Sequence, residues 1–201
     1  MTTRILIIYD TNSGNTYTMA KKVARGVESV NDVDRCEAVI RSVPKVSANL
    51  DLQAKPVPDS GAPFATLDDL ATHDGLIIGS PTHFGNMSAP LKYFIDQSSP
   101  QWLSGALNGK PAAAFTSTGS LHGGQEATLL SMMIPLLHHG MIISGLPYTH
   151  PGLMKTGAGG TPYGASHMAG EAGNRTLTDI EQELCMLLGE RVARLAVKLA
   201  G

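Results

Sequence analysis

Short, uninterrupted apolar runs alternate along this chain with longer stretches in which apolar residues recur at helical spacing. Runs of strand length fall near Ile5–Tyr9, Cys36–Val43, Gly75–Gly79, Ala112–Ser117 and Met141–Ser144. Helical spacing, as in Met19, Val23 and Val27, marks Thr16–Val30, Ala89–Asp96, Gln125–His138 and Thr178–Leu199, with a short helix near Thr66–Ala71. Several strands are apolar throughout rather than alternating, the pattern of a parallel sheet covered on both faces. Strands that alternate with helices predict a doubly wound α/β fold.

Five strands point to a flavodoxin-like five-stranded parallel sheet of order 2-1-3-4-5 with helices on both faces. In such sheets ligands bind outside the carboxyl ends of the strands, which directs attention to three loops. The first is Thr11-Asn12-Ser13-Gly14-Asn15-Thr16, between a buried strand and the first turn of a helix. It carries hydroxyls, amides and a glycine that permits a tight turn. A helix N-terminus adds unpaired N–H groups and a dipole that favours an anion. A Walker A loop requires Lys after its last glycine, and the next Lys here is Lys21; a dinucleotide fingerprint requires three spaced glycines, and here there is one. Neutral donors around a terminal phosphate monoester suit flavin mononucleotide (FMN). Ser, Thr and Asn also precede ordinary helices as N-caps, so the hexapeptide by itself fits either role. The second loop, Ser80 to Met87, and the third, Ser117 to Gly124, have the same donor-rich composition. Three such loops at three strand ends favour a cofactor site.

Composition narrows the partners. The 201 residues are 42% hydrophobic with net charge −2, which fits one domain spanning residues 1–201 and gives no electrostatic support for nucleic acid. Cys36 and Cys185 are far apart in sequence, suggesting neither a disulfide framework nor a zinc site, and no metal is expected. The first apolar run stops at Asp10, too short for a signal peptide, and no apolar stretch approaches the ~20 residues that span a bilayer. A cytoplasmic protein without membrane insertion is expected. Two long irregular segments remain, Pro44–Pro63 and Gly145–Gly173. The second contains Gly159-Gly160-Thr161-Pro162-Tyr163-Gly164, which fits a lid, a substrate wall, a subunit contact or a plain surface loop.

The motifs Gly79 to Met87, Ser104-Gly105-Ala106-Leu107, Gly123-Gly124-Gln125-Glu126, His138-His139-Gly140-Met141 and Gly159 to Ala165 give a sharper reading. With them the chain resembles, from Ile5 to Leu199, the WrbA family of FMN-dependent NAD(P)H:quinone oxidoreductases. The resemblance implies an FMN cofactor, NADH or NADPH as co-substrate, two-electron reduction of quinones by ping-pong hydride transfer, and a homotetramer. It places the phosphate loop on Thr11, Asn12, Ser13, Gly14, Asn15 and Thr16, and the flavin-lining segment on Pro81, Thr82, His83, Phe84, Gly85 and Asn86. The third FMN segment falls on Ser117, Thr118, Gly119, Ser120, Leu121 and His122. A flavin-contacting histidine falls on His139, and an active-site tryptophan on Trp102, the single tryptophan. Three positions depart from the family. Ser13 stands where a tyrosine often touches the nicotinamide cofactor, and His83 where an arginine is common. The third loop is one residue longer around Leu121-His122.

Some residues also have plainer readings. Trp102, after Ser99-Pro100-Gln101, reads as a loop aromatic that either stacks on substrate or packs in the core. His139 precedes Gly140 and so marks a helix C-terminus, where a histidine often only complements the dipole. His122, His150 and His167 read as loop residues without a role. The alternatives to a reductase are a flavodoxin-type electron carrier, which a charge of −2 argues against, and a non-catalytic partner-binding flavoprotein.

Overall fold

Side chains that alternate along the first strand decide the layering of the molecule. In the computed structural model, which describes residues 2–31, 35–47 and 57–200, β1 (Thr3–Tyr9) is buried at every position except Arg4. Ile5 and Ile7 join one hydrophobic cluster, and Leu6 and Ile8 join another on the opposite face. The remaining elements in chain order are α1 (Asn15–Glu28), β2 (Cys36–Ser42), α2 (Leu67–Ala71), β3 (Gly75–Pro81), α3 (Ala89–Asp96) and α4 (Ser99–Leu103). They are followed by β4 (Pro111–Thr118), α5 (Gln125–His138), β5 (Ile142–Ile143), α6 (Gly152–Lys155), β6 (Ala165–Met168) and α7 (Asp179–Leu199). Residues 48–56 of the irregular segment Pro44–Pro63 lie outside the described residues.

The sheet has the expected order β2-β1-β3-β4-β5, with every pairing parallel. The first cluster lies under α1 and α7, through residues such as Met19, Val23, Leu184 and Leu188. The second lies under α3 and α5, through Leu91, Phe94, Leu129 and Met132. α1 and α7 approach so closely that a Cβ on Gly26 would overlap the Met186 carbonyl, and one on Gly189 the Val23 carbonyl. No helix among the described residues is long and apolar enough to cross a membrane.

Three elements depart from the sequence expectation. The fifth strand is two residues long, and β6 continues along β4 beyond it, pairing Phe115 with Ala165 through Thr118 with Met168. The chain between them leaves the sheet and carries α6. β6 reads Ala165-Ser166-His167-Met168 and lacks an apolar run, because its buried members are satisfied by polar partners. His167 is thus a buried strand residue rather than a loop residue. Trp102 belongs to α4 rather than to a loop, since Pro100 in the first turn needs no N–H partner.

What holds β6 and its flanking loops is Glu181, at the third position of α7. Its carboxylate closes a capping box with Thr178, accepting that residue's N–H at 2.8 Å and its hydroxyl at 3.1 Å. It also accepts the N–H groups of Gly159 at 2.8 Å and Met168 at 3.0 Å, and it lies 3.1 Å from His167 Nδ1. The opposite ring nitrogen of His167 meets the Arg175 carbonyl at 3.0 Å. The Gly159–Gly164 segment is therefore pinned into the interior at its start, as is the turn leading to α7. Burial by itself would raise the Glu181 pKa, but the hydrogen bonds from His167 and from the Thr178 and Met168 N–H groups prevail and bring it down to about 2.

A folded-state pKa below the unfolded one stabilises the protein above the unfolded value, and that contribution is lost as pH falls toward the folded value. Thermal melting of the wild-type protein should therefore drop between pH 4.5 and about 2 in part through Glu181. Glu181→Gln leaves His167 without its carboxylate, so it should cost about 3 kcal/mol above that window and show a flatter profile inside it. Equal melting of the two proteins above pH 4.5 would remove Glu181 from this role.

Candidate functional site

β1, β3 and β4 are adjacent and parallel, so the loops that leave them emerge at the same edge of the sheet. In the first, Gly14 adopts φ 87°, a conformation that glycine reaches without steric cost, and its N–H donates to Thr11 Oγ1 at 3.0 Å. The helical ladder begins when Thr18 N–H donates to the Gly14 carbonyl at 3.0 Å. The N–H groups of Asn15, Thr16 and Tyr17 therefore have no partner in the helix, and the positive end of its dipole lies there. Thr16 is 1% exposed. Asn15 Nδ2 donates to Ser13 Oγ at 2.9 Å and to the Gly173 carbonyl at 2.7 Å, which brings the turn after β6 against this loop. The helix starts one residue before the expected Thr16. The donor set, neutral and backbone-rich, fits a phosphate monoester.

The second loop is tied down from inside. Thr128 Oγ1 donates to Thr82 Oγ1 at 3.2 Å, Thr82 lies 3.2 Å from Thr116 Oγ1, and Thr116 donates to the Ser80 carbonyl at 2.8 Å. The Thr82 N–H donates to the Ser117 carbonyl at 2.9 Å. Both polar hydrogens of Thr82 are thus committed to the loop and its neighbours. His83 and Asn86 exchange two backbone hydrogen bonds of 2.9 Å each around a two-residue turn. Phe84 at φ 51° and Gly85 at φ 74° form its tip, the positive-φ pair of a type I′ turn. A bulky residue is strained in that region, and such strain collects at functional sites. Phe84 is fully exposed. His83 Nε2 lies 3.4 Å from Asn12 Nδ2, joining the second loop to the first.

The third loop follows β4. Ser117 and Thr118 are buried, Thr118 Oγ1 donates to the Ser120 carbonyl at 2.8 Å, and Gln125 holds the Leu121 carbonyl at 2.9 Å. Gly119, Ser120, Leu121 and His122 face outward. Gly124 sits against Gly85 closely enough that a Cβ would come within 3.1 Å of its Cα, so the second and third loops touch. The structure thus brings Thr11–Thr16, Pro81–Asn86 and Ser117–His122 to one edge.

His139 and Trp102 are elsewhere. α5 runs back along the sheet from the third loop, and His139 caps its far end. The next residue, Gly140, accepts the Gly109 N–H just before β4 begins. The length of α5, about 20 Å, separates this place from the three loops. Trp102 Nε1 donates to the His138 carbonyl at 2.9 Å. The two residues share a cleft of about 380 Å³ with Ile134 and Pro135. Ser98 donates to the Ile95 carbonyl at 2.6 Å and so accepts from His139 Nε2 at 2.9 Å. That leaves His139 Nδ1 buried without a partner among the described residues. Burial foremost, then the neighbouring His138, lowers the His139 pKa.

A residue that sequence reasoning missed stands beside the first loop. Lys45 donates to Asp10 Oδ1 at 2.6 Å, the Thr11 carbonyl at 2.8 Å and Asn12 Oδ1 at 3.1 Å. A cleft of about 600 Å³ opens on this side, between the loop, the end of β2 and residues 57–64. The contact follows from the β1–β2 register, which sets Ser42 beside Tyr9 and so brings the following residues to Asp10, and local composition carries no signal of it.

Comparison with known proteins agrees with this geometry. The family described as NADPH-dependent FMN reductase matches residues 3–149. The NAD(P)H dehydrogenase (quinone) of Gluconacetobacter diazotrophicus is 42% identical over 98% of this chain and 99% of its own length. The protein of the same name from Syntrophobacter fumaroxidans is 43% identical over 98% of both. Among solved structures, a WrbA-like flavodoxin from Agrobacterium tumefaciens shares the fold, with a TM-score of 0.68 at 23% identity over 98% of each chain. A match over most of the chain, together with relatives of this identity along its full length, places the protein in the NADPH-dependent FMN reductase family.

Proposed function

We propose that this protein is an FMN-dependent NAD(P)H:quinone oxidoreductase. The observation that carries the reading is the convergence of three loops near the first turn of α1, whose N–H groups have no partner among the described residues. The names of the full-length relatives, NAD(P)H dehydrogenase (quinone), supply the substrate class. FMN, when bound, supplies the acceptor for a hydride from NAD(P)H and the donor of two electrons to a quinone. The chain's own residues bind and orient it. The Asn15, Thr16 and Tyr17 N–H groups and the loop hydroxyls hold the phosphate; His83 to Asn86 and Ser117 to His122 form the walls around the ring. Phe84 offers a flat apolar surface at the tip of its turn. Both substrates in turn use one open face, which gives ping-pong kinetics.

A role for Trp102 and His139 at the flavin requires a second subunit, because both lie about 20 Å from the loops of their own chain. Leu130, Ile134 and Leu137 are exposed on α5 near Trp102, itself 53% exposed. A contiguous apolar surface of this kind marks an interface, and a homotetramer of the expected type would cover it. Trp102 is too exposed for its removal to open a core cavity.

Five measurements test these proposals. Purified protein loaded with FMN should oxidise NADH or NADPH with benzoquinone and no protein partner; turnover that appears only with an added protein would make it an electron carrier. Thr16→Ala removes a hydroxyl from the phosphate loop and should weaken FMN binding about ten- to a hundredfold, as expected for a hydrogen bond to a charged group worth roughly 1.5–3 kcal/mol. An unchanged dissociation constant would reduce Thr16 to a helix-start residue. Trp102→Ala should leave melting and FMN affinity unchanged while lowering kcat/KM about five- to thirtyfold. Mixing Trp102→Ala subunits with Thr16→Ala subunits should restore part of the activity, since some sites then combine an intact loop with a neighbour's tryptophan. Light scattering that shows a monomer with full activity would overturn the shared site.

A further inference from the structure

Asp10 follows β1 directly, just before the phosphate loop, and is 3% exposed. A buried carboxylate needs compensation. Its Oδ2 has no partner among the described residues, and its Oδ1 meets the Lys45 ammonium at 2.6 Å. A phosphate monoester carries close to two negative charges at neutral pH. An uncompensated carboxylate beneath it, within the ~10 Å over which charges act at ordinary ionic strength, opposes its binding. The fold therefore sets an unfavourable charge under the anion it is to hold, and Lys45 cancels it.

Lys45 reaches this place through the β-ladder. Ser42 pairs with Tyr9, and the Val43 N–H donates to the Tyr9 carbonyl at 3.2 Å, so Pro44 and Lys45 continue alongside Asp10 and the loop. The ammonium has three hydrogens, and all three find oxygens on three consecutive residues: Asp10 Oδ1, the Thr11 carbonyl and Asn12 Oδ1. The last contact turns the Asn12 amide so that its Nδ2 faces His83 Nε2 at 3.4 Å. One cation thus orders the first loop and connects it to the second. An ordinary exposed ion pair contributes little. This one differs because the Lys45 side chain is 57% exposed while the Asp10 side chain is 2% exposed, so its loss strands a buried charge.

We propose that Lys45 is a positioning residue of the FMN phosphate site: it neutralises the buried Asp10 carboxylate and ties Asp10, Thr11 and Asn12 into the arrangement that leaves the loop's N–H groups for phosphate. The proposal rests on the reading of Thr11–Thr16 as that site, and riboflavin, which lacks the phosphate, separates the two.

The experiment titrates apoprotein with FMN and with riboflavin, at low and high salt, for wild type, Lys45→Met, Lys45→Arg, Asp10→Asn and the double variant. Lys45→Met should weaken FMN roughly tenfold or more at low salt and leave riboflavin nearly unchanged, because the bare carboxylate repels the phosphate alone. High salt should shrink that loss. Lys45→Arg should stay near wild type, and adding Asp10→Asn to Lys45→Met should recover most of the lost FMN affinity. If Lys45→Met does not fold, Asp10→Asn alone carries the test: FMN should bind at least as tightly as to wild type, and a large loss specific to FMN overturns the electrostatic role. Equal weakening of FMN and riboflavin by Lys45→Met, or no recovery in the double variant, likewise overturns it. Wild-type protein that binds riboflavin as tightly as FMN would remove the phosphate site itself, and this proposal with it.

Discussion

Parallel strands that lie side by side must release their outgoing loops at one edge of the sheet, and most of what this protein can do follows from that constraint. β1, β3 and β4 are adjacent, so three separate stretches of sequence rich in Ser, Thr, Asn and Gly come together without any contact designed for the purpose. The same constraint sends every returning helix to the other edge. α5 carries His138 and His139 away from the loop that starts it. Donors collect at one end of the sheet, and the Trp102–His138 contact at the other.

The loops differ in how they hold their shape. The second and third spend their own polar groups on internal hydrogen bonds, as in the chain from Thr128 through Thr82 and Thr116 to the Ser80 carbonyl. The first does this to a lesser extent, and on the proposed reading its N–H groups stay free to meet an anion. It is held from outside instead, by Lys45 on one flank and by the Gly173 carbonyl, through Asn15, on the other. The Gly173 turn is placed in its own right by β6 and the Glu181 network. A binding loop kept open at its centre depends on partners that are remote in sequence.

That dependence explains what the sequence made legible. The apolar runs of β1, β3 and β4 and the loops after them were readable because burial on both faces leaves an uninterrupted hydrophobic signature. The short strand Ala165–Met168 was not, because His167 and Ser166 are buried by virtue of partners on α7 and α5, Glu181 and Gln125. Proximity of that kind does not show in local composition. Lys45 was missed for the same reason: its partners are 33 to 35 residues away and meet it only through the β1–β2 register. α4 was concealed by Pro100, which reads as a breaker but sits in a first turn where it costs nothing. The places of His139 and Trp102 in the sequence came from the family resemblance, which carries no information about which subunit's flavin they would serve.

On the proposed reading, the separation of the two edges also restricts how copies of the chain can assemble. Each subunit has a donor edge and a tryptophan edge about the length of α5 apart, some 20 Å. If the donor edge of one copy faces the tryptophan edge of another, a two-fold axis repeats the contact in reverse, and both subunits gain a complete site from one interface. A head-to-tail contact without closure would complete sites as well, but would leave unmatched edges at the ends of the assembly. The apolar row Leu130, Ile134 and Leu137 lies on α5, the helix that joins the two edges. Its burial would therefore stabilise the same side-by-side approach that brings Trp102 toward a neighbour's loops. Assembly and site completion then depend on one helix face, and a substitution that weakens the first should also weaken the second.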